Sequence, residues 1–359
     1  MSTRLRLVLC LVLLASGCAQ VAYYGQAAHG EFSLLDRARP IDDWLADPGA
    51  DAGLKAKLAR TKQMRRFAIS ELGLPDNRSY TEYADLQRPF ALWNVVAAPA
   101  LSLEPKQWCF PIAGCVNYRG YFNQTAAQKF AMGLREQGFD VQVSGVPAYS
   151  TLGWFNDPLL STFIKYPDGE LARLIFHELA HQTVYAKDDT QFNESFAITV
   201  EQAGVERWLQ AVGNQKMRDA YVQFEGRKED FLALLLKCRK QLAANYASDV
   251  SDAQKLQRKA AIFSALQEDY QQLKLKWGGY TGFDRWFAEP LSNAHLALVA
   301  TYYDLVPGFR ALLAQQKTFP RFYAAVAKLA ELSKDERHRQ LDELAKKGTD
   351  VNSLVTMSE

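Results

Sequence analysis

The sequence is poor in cysteine and histidine and carries no excess of charge, and each shortage removes a class of protein. Five cysteines in 359 residues are too few for a disulfide-built scaffold, and no second cysteine pair or nearby histidine completes a tetrahedral metal set with Cys109 and Cys115. Lys and Arg number 42 against 40 Asp and Glu, so the net charge of +2 offers no field to gather nucleic acid or an anionic membrane surface. No nucleic-acid partner is expected. Internal repeats and long linkers are missing as well. The remainder is 48% hydrophobic and 12% aromatic, which suits a globular chain with one large core or two modest ones and excludes disordered and fibrous classes.

The N-terminus differs from the rest. Arg4 and Arg6 precede an apolar run from Leu7 to Ala15 that is too short to span a bilayer as a mature helix, and Ser16-Gly17-Cys18 follow. This is the layout of a secretory signal over residues 1–17. The ending Leu14-Ala15-Ser16-Gly17-Cys18 resembles the lipobox of bacterial lipoproteins, although Ala15 stands where leucine is usual. That resemblance implies cleavage before Cys18, a diacylglyceryl group on Cys18 and, with Ala19 in place of Asp, delivery to the periplasmic face of the outer membrane. A plain signal peptide that contains a cysteine is the alternative. In the oxidising compartment beyond the membrane, Cys109 and Cys115 could close a small loop as a disulfide. Cys238 lies in an apolar helical stretch and reads as a buried free thiol.

Residues 18–30 are small and polar and read as a tether. The apolar spacing from Phe32 to Gly73 is helical, with Pro40 opening one helix and another over 51–72. Strands and a compact loop are predicted within 92–122, a helix over 126–138, and a half-buried strand at Phe139–Val146 from its period-two alternation. Beyond an aromatic loop at Tyr149, Trp154 and Phe155, helices are predicted at 168–186, 190–211, 214–244, 252–275, 292–304, 308–317, 319–332 and 334–347. The fold class is α+β, predominantly α, with a small sheet before the helix at 168–186, and residues 31–350 form a single domain.

Of the five histidines, two stand four apart in His177-Glu178-Leu179-Ala180-His181. Histidines at i and i+4 of a helix share a face and can converge on one ion, with the intervening Glu beside a bound water. A catalytic zinc needs three protein ligands and an open position. Glu194, in Asn193-Glu194-Ser195-Phe196-Ala197, can be the third. If the first helix runs on to about Ala186 and a second starts after Asp188-Asp189, the chain travels ~7.5 Å past His181 and returns ~6 Å to Glu194. One Zn²⁺ on His177, His181 and Glu194, with Glu178 as general base, is the expected chemistry, and it makes the protein a peptidase acting on a peptide or protein substrate.

The His-Glu-x-x-His motif followed by Asn-Glu-x-x-Ala resembles the gluzincin metallopeptidases. More closely, Cys109–Cys115, Tyr118-Arg-Gly-Tyr-Phe122, Gly153-Trp-Phe-Asn-Asp-Pro158 and Lys187–Phe196 look like a family of predicted bacterial aminopeptidases with lipoprotein signals, over roughly residues 20–350. The resemblance implies a zincin-like core and aminopeptidase activity in the cell envelope. The 12 residues between His181 and Glu194 are fewer than in the large aminopeptidases, and no Gly-x-Met-Glu-Asn motif is visible. An envelope endopeptidase on the same chemistry and a non-catalytic binding module on the same fold remain as alternatives. Related enzymes place a Tyr, His or Arg against the oxyanion, and Tyr302 and Tyr303 are the first candidates, then His295, Tyr149 and Arg119. Glu201 is an outer partner of the site, an alternative metal ligand or an exposed helix carboxylate, and Asp188 and Asp189 either orient a histidine or shape a turn.

Overall fold

The computed structural model describes residues 21–110, 114–151, 154–299 and 303–355, with side chains as far as 347. The signal sequence, Cys18 and Tyr302 lie outside them. The first element is a helix, α1 (21–35), where a tether is expected from the polar composition up to residue 30. Ala22, Ala27 and Ala28 are strong helix formers, and Tyr23, Ala27, Gly30 and Leu34 recur at helical spacing along one side. That side is docked: Tyr23 meets Tyr121 edge-on at 5.5 Å, and Leu34 is buried in the main core.

Strands occur only ahead of residue 161 among the described residues. β1 (Ala38–Pro40) leads into α2 (Ile41–Ala46) and α3 (Ala52–Ser70). A sheet is formed by β1, β2 (Glu82–Ala84) and β8 (Leu159–Leu160), with β2 antiparallel to β1 and parallel to β8. The second sheet has the order β6-β3-β7, fully antiparallel, from β3 (Leu92–Pro99), β6 (Arg119–Tyr121) and β7 (Phe139–Val146). Between β3 and β6 lies the hairpin of β4 (Trp108–Phe110) and β5 (Gly114–Val116), joined by a Cys109–Cys115 disulfide. Side chains alternate along β3. Trp93, Val95 and Ala97 pack with α4 (Gln124–Glu136), whereas Leu92 and Asn94 face the other way.

The rest of the chain is helical: α5 (Asp168–His181), α6 (Thr190–Val212), α7 (Gln215–Ala247), α8 (Asp252–Lys276), a 3₁₀ turn at Asp284–Phe287, α9 (Asn293–Ala297), α10 (Val306–Gln316), α11 (Phe319–Ala330) and α12 (Lys334–Val355). The architecture is thus predominantly α, with small sheets ahead of α5, as the patterning predicts. Several predicted bounds shift, α12 for one running on to Val355 where an end at 347 is expected. Of the helix expected over 292–304, the described residues show the short α9, ended by a turn at Leu298, and α5 stops at His181 instead of about Ala186.

α5 and α6 are the centre of the molecule. Leu171, Ala172, Ile175, Phe176, Leu179 and Ala180 of α5 are essentially inaccessible, as are Phe192, Phe196, Ala197, Val200 and Val205 of α6. Helices apolar over most of their circumference are buried on several sides. Cys238 is a buried free thiol in a separate cluster between α7 and α8.

A close approach behind this core is testable. A Cβ on Gly308 of α10 would lie 2.3 Å from the carbonyl oxygen of Leu341 in α12, and a backbone atom cannot swing aside. Gly308→Ala is expected to destabilise the fold by about 1–3 kcal/mol, the usual cost of overpacking. Urea denaturation measures it, and an unchanged midpoint would show that α12 slides freely over α10.

Candidate metal centre

α5 follows Pro167 and carries acidic residues, Asp168 and Glu170, in its first turn, where they favour the positive end of the helix dipole. Asp168 also binds Lys57 Nζ of α3 at 2.6 Å, which fixes where α5 starts. Nine and thirteen residues on from Asp168, His177 and His181 stand one turn apart. Their Nε2 atoms are 3.1 Å from each other.

α6 brings Glu194 to the same point. Its Oε2 lies 3.3 Å from His177 Nε2 and 3.7 Å from His181 Nε2. The return path differs from the helical extension expected: after His181 the chain leaves α5 in an irregular turn over 182–189. Asn193, the residue before Glu194, holds that turn. Its Oδ1 accepts from Ala186 N at 2.7 Å and its Nδ2 donates to Ala186 O at 2.8 Å, both buried. The asparagine therefore does the backbone pairing that α5 does not extend to make.

Three donor atoms within 4.8 Å of one another could hold a metal ion. Donors about 2.0–2.2 Å from a four-coordinate ion stand roughly 3.3–3.6 Å apart, and separations of 3.1, 3.3 and 3.7 Å bracket that range. The electrostatics agree. Burial alone would lower the His177 pKa, but hydrogen bonds to Glu194 and Glu201 outweigh it and push it up to about 10. Burial likewise works against the Glu194 carboxylate, yet the two histidines hold it well below its ordinary range. The pocket calls for positive charge between these side chains, and a divalent cation supplies it as well as a proton does.

Glu201 is not an exposed helix carboxylate. It is 1% accessible, and its Oε2 accepts from His177 Nδ1 at 2.9 Å and from Arg173 Nη1 at 3.0 Å. A carboxylate on the far nitrogen fixes the tautomer and orientation of a ligand imidazole. Behind it, Arg173 also binds Glu170 at 3.0 Å. No such partner serves His181, whose Nδ1 is buried without a hydrogen bond among the described residues. Glu201→Gln is expected to weaken metal binding about 10- to 100-fold, as loss of such outer partners does. A competition titration against a chelator reads this, and unchanged affinity would reduce Glu201 to a core ion pair.

Asp188 and Asp189 do not orient either histidine. Asp188, at φ 62°, accepts from the backbone N of Cys115 at 2.6 Å and so ties the disulfide hairpin to the turn between α5 and α6. Gly114 must be small there, since a Cβ would lie 2.2 Å from the Asp188 carboxylate. Asp189 caps α6 through Phe192 N and binds Arg337 and His338 of α12.

The donors open into a cavity of about 750 Å³. Glu178 lines it, with burial pushing its carboxyl above the usual range against the opposing pull of His177 and His181. One wall comes from the Leu92 and Asn94 face of β3 and from Gly120 of β6, and another from α1 and the segment Ala148–Thr151. Tyr303 is not part of this lining. It sits behind the centre in the field of Lys228, Glu201 and Arg173. His295 is buried beside Trp286 and Ser292, and Arg119 stacks on Tyr23. Four phenols line the cavity: Tyr23, Tyr149, whose hydroxyl donates to Glu31, and, in the field of Glu194, Tyr118 and Tyr185. Burial, then Glu194, pushes Tyr118 and Tyr185 up, so both keep their protons. Tyr185 lies within the spacer between His181 and Glu194, and that position was the available signal for it.

A family model described as "Putative aminopeptidase" matches residues 22–341. No curated protein and no solved structure matches the chain.

Proposed function

The chain belongs to that aminopeptidase family, and from this premise we propose that it is a zinc-dependent aminopeptidase with a zincin-like core, acting on peptides in the cell envelope. One observation carries the reading: the Nε2 atoms of His177 and His181 and the Oε2 of Glu194 converge at the end of a cavity that Glu178 also lines. Zinc held by these three would lower the pKa of its water towards ~7 and polarise the scissile carbonyl.

The protein's own groups do the rest. Glu178 takes a proton from the attacking water and delivers it to the leaving amine, a role that suits a buried carboxyl with a raised pKa. Glu201 keeps His177 Nδ1 protonated and Nε2 turned to the donors. Tyr118 and Tyr185, neutral and beside Glu194, are placed to donate to the oxyanion, which Tyr303 from behind the centre is not. We place the enzyme at the periplasmic face of the outer membrane, anchored by lipid on Cys18. Arg4, Arg6, the apolar run and the ending Leu14–Cys18 support that location.

A peptide-library digest by protein lacking residues 1–18 tests the reading. Zinc-dependent release of single N-terminal residues is expected. Interior cleavage would make it an endopeptidase, and no cleavage with zinc bound would make it a binding module.

A further inference from the structure

The cavity has a charged feature that the zinc chemistry does not use. Besides four tyrosines its ionisable lining is His177, His181, Glu178, Glu194 and, from α1, Glu31, with neither lysine nor arginine. Glu31 therefore faces the cavity without a cation, and among the described residues no salt bridge neutralises it.

The position of Glu31 is referenced to the motif helix. Its Oε2 accepts from the hydroxyl of Tyr149, another lining residue. The segment that carries Tyr149 is pinned in turn by the buried Asp157, which accepts from Thr151 Oγ1 at 2.7 Å and Thr151 N at 3.2 Å. Asp157 also accepts from Gln182 Nε2 at 3.2 Å, and Gln182 directly follows His181. A chain of contacts thus links the carboxylate on α1 to the end of the helix that bears both histidines. With one hydrogen bond made, the Glu31 carboxylate still has acceptor capacity for a donor arriving through the cavity.

We propose that Glu31 receives the α-ammonium group of the substrate's first residue and thereby restricts cleavage to the N-terminal peptide bond. This rests on the aminopeptidase reading above. A cavity with carboxylates and without Lys or Arg favours a cationic end group, and Glu31 is the acidic residue in it that neither donates to the metal cluster nor acts as base. An ammonium hydrogen-bonded to a carboxylate in such a site is a charge-assisted contact.

The experiment compares a tripeptide amide bearing a free N-terminus with its N-acetylated twin, using zinc-loaded wild type, Glu31→Gln and Glu31→Asp. Wild type is expected to prefer the free amine strongly. Glu31→Gln should lower kcat/KM for the free peptide about 10- to 100-fold, mostly through KM, without lowering the slow hydrolysis of the acetylated twin. Glu31→Asp should restore part of the preference. If wild type prefers the free amine and Glu31→Gln keeps that preference, another group binds the amine and the proposal falls while the aminopeptidase reading stands. If wild type cleaves both peptides equally, the aminopeptidase reading itself fails. If Glu31→Gln loses activity only on peptides beginning with Lys or Arg, Glu31 reads a side chain and the proposal is also overturned.

Discussion

Glu178→Gln is expected to lower kcat for peptide hydrolysis about 10²- to 10⁴-fold while the purified protein still binds one equivalent of zinc. The substitution keeps the size of the side chain and removes its capacity to take a proton. Among the described residues Glu178 takes part in no ion pair, and it is not one of the three clustered donors, so neither fold nor metal should be disturbed. Loss of turnover with the metal retained is what separates a base from a ligand. Metal analysis and steady-state kinetics on the same preparation check it, and unchanged hydrolysis would remove Glu178 from the mechanism.

The second large effect is expected at Glu194. Glu194→Ala leaves two imidazoles, one short of the three protein ligands of a catalytic zinc site. Zinc content should fall well below one equivalent, hydrolysis should disappear, and the loss of affinity should exceed the about 10- to 100-fold expected for Glu201→Gln. The ordering discriminates between roles, because it sets a donor that would touch the ion against a carboxylate that holds His177 from behind. If the Glu201 variant lost more metal than the Glu194 variant, the ligand assignment would have to be exchanged between the two carboxylates. A chelator competition on both proteins decides it.

The metal cluster was legible because it depends on local rules. Two histidines at i and i+4 share a helix face in any fold, and the 12-residue spacer permits one return to Glu194. The route of that return was less legible, since the double hydrogen bond from Asn193 to Ala186 replaces the extra helical turn and no spacing rule anticipates a side chain standing in for a backbone partner. Glu201 could be read two ways because the sequence does not say which side of α6 is covered, and α6 is covered on nearly every side. α1 was missed for a related reason: alanines and glycines look like a tether until Tyr121 and Phe122 are known to be waiting for Tyr23 and Gly30. Tyr303 is a candidate from the sequence and Tyr185 is not, because access to the cavity is a property of tertiary packing.

The hairpin of α5 and α6 supplies the three clustered donors and the orienting Glu201 from one stretch of 25 residues, Glu201 counted with His177, whereas the opposing walls come from α1, β3, β6 and the segment Ala148–Thr151. Most of the wall opposite the donors is therefore contributed by segments far from the hairpin in the sequence. Under the proposed function, changes at Leu92, Ala27 or Trp154 would reshape what the cavity accepts without touching the three clustered donors.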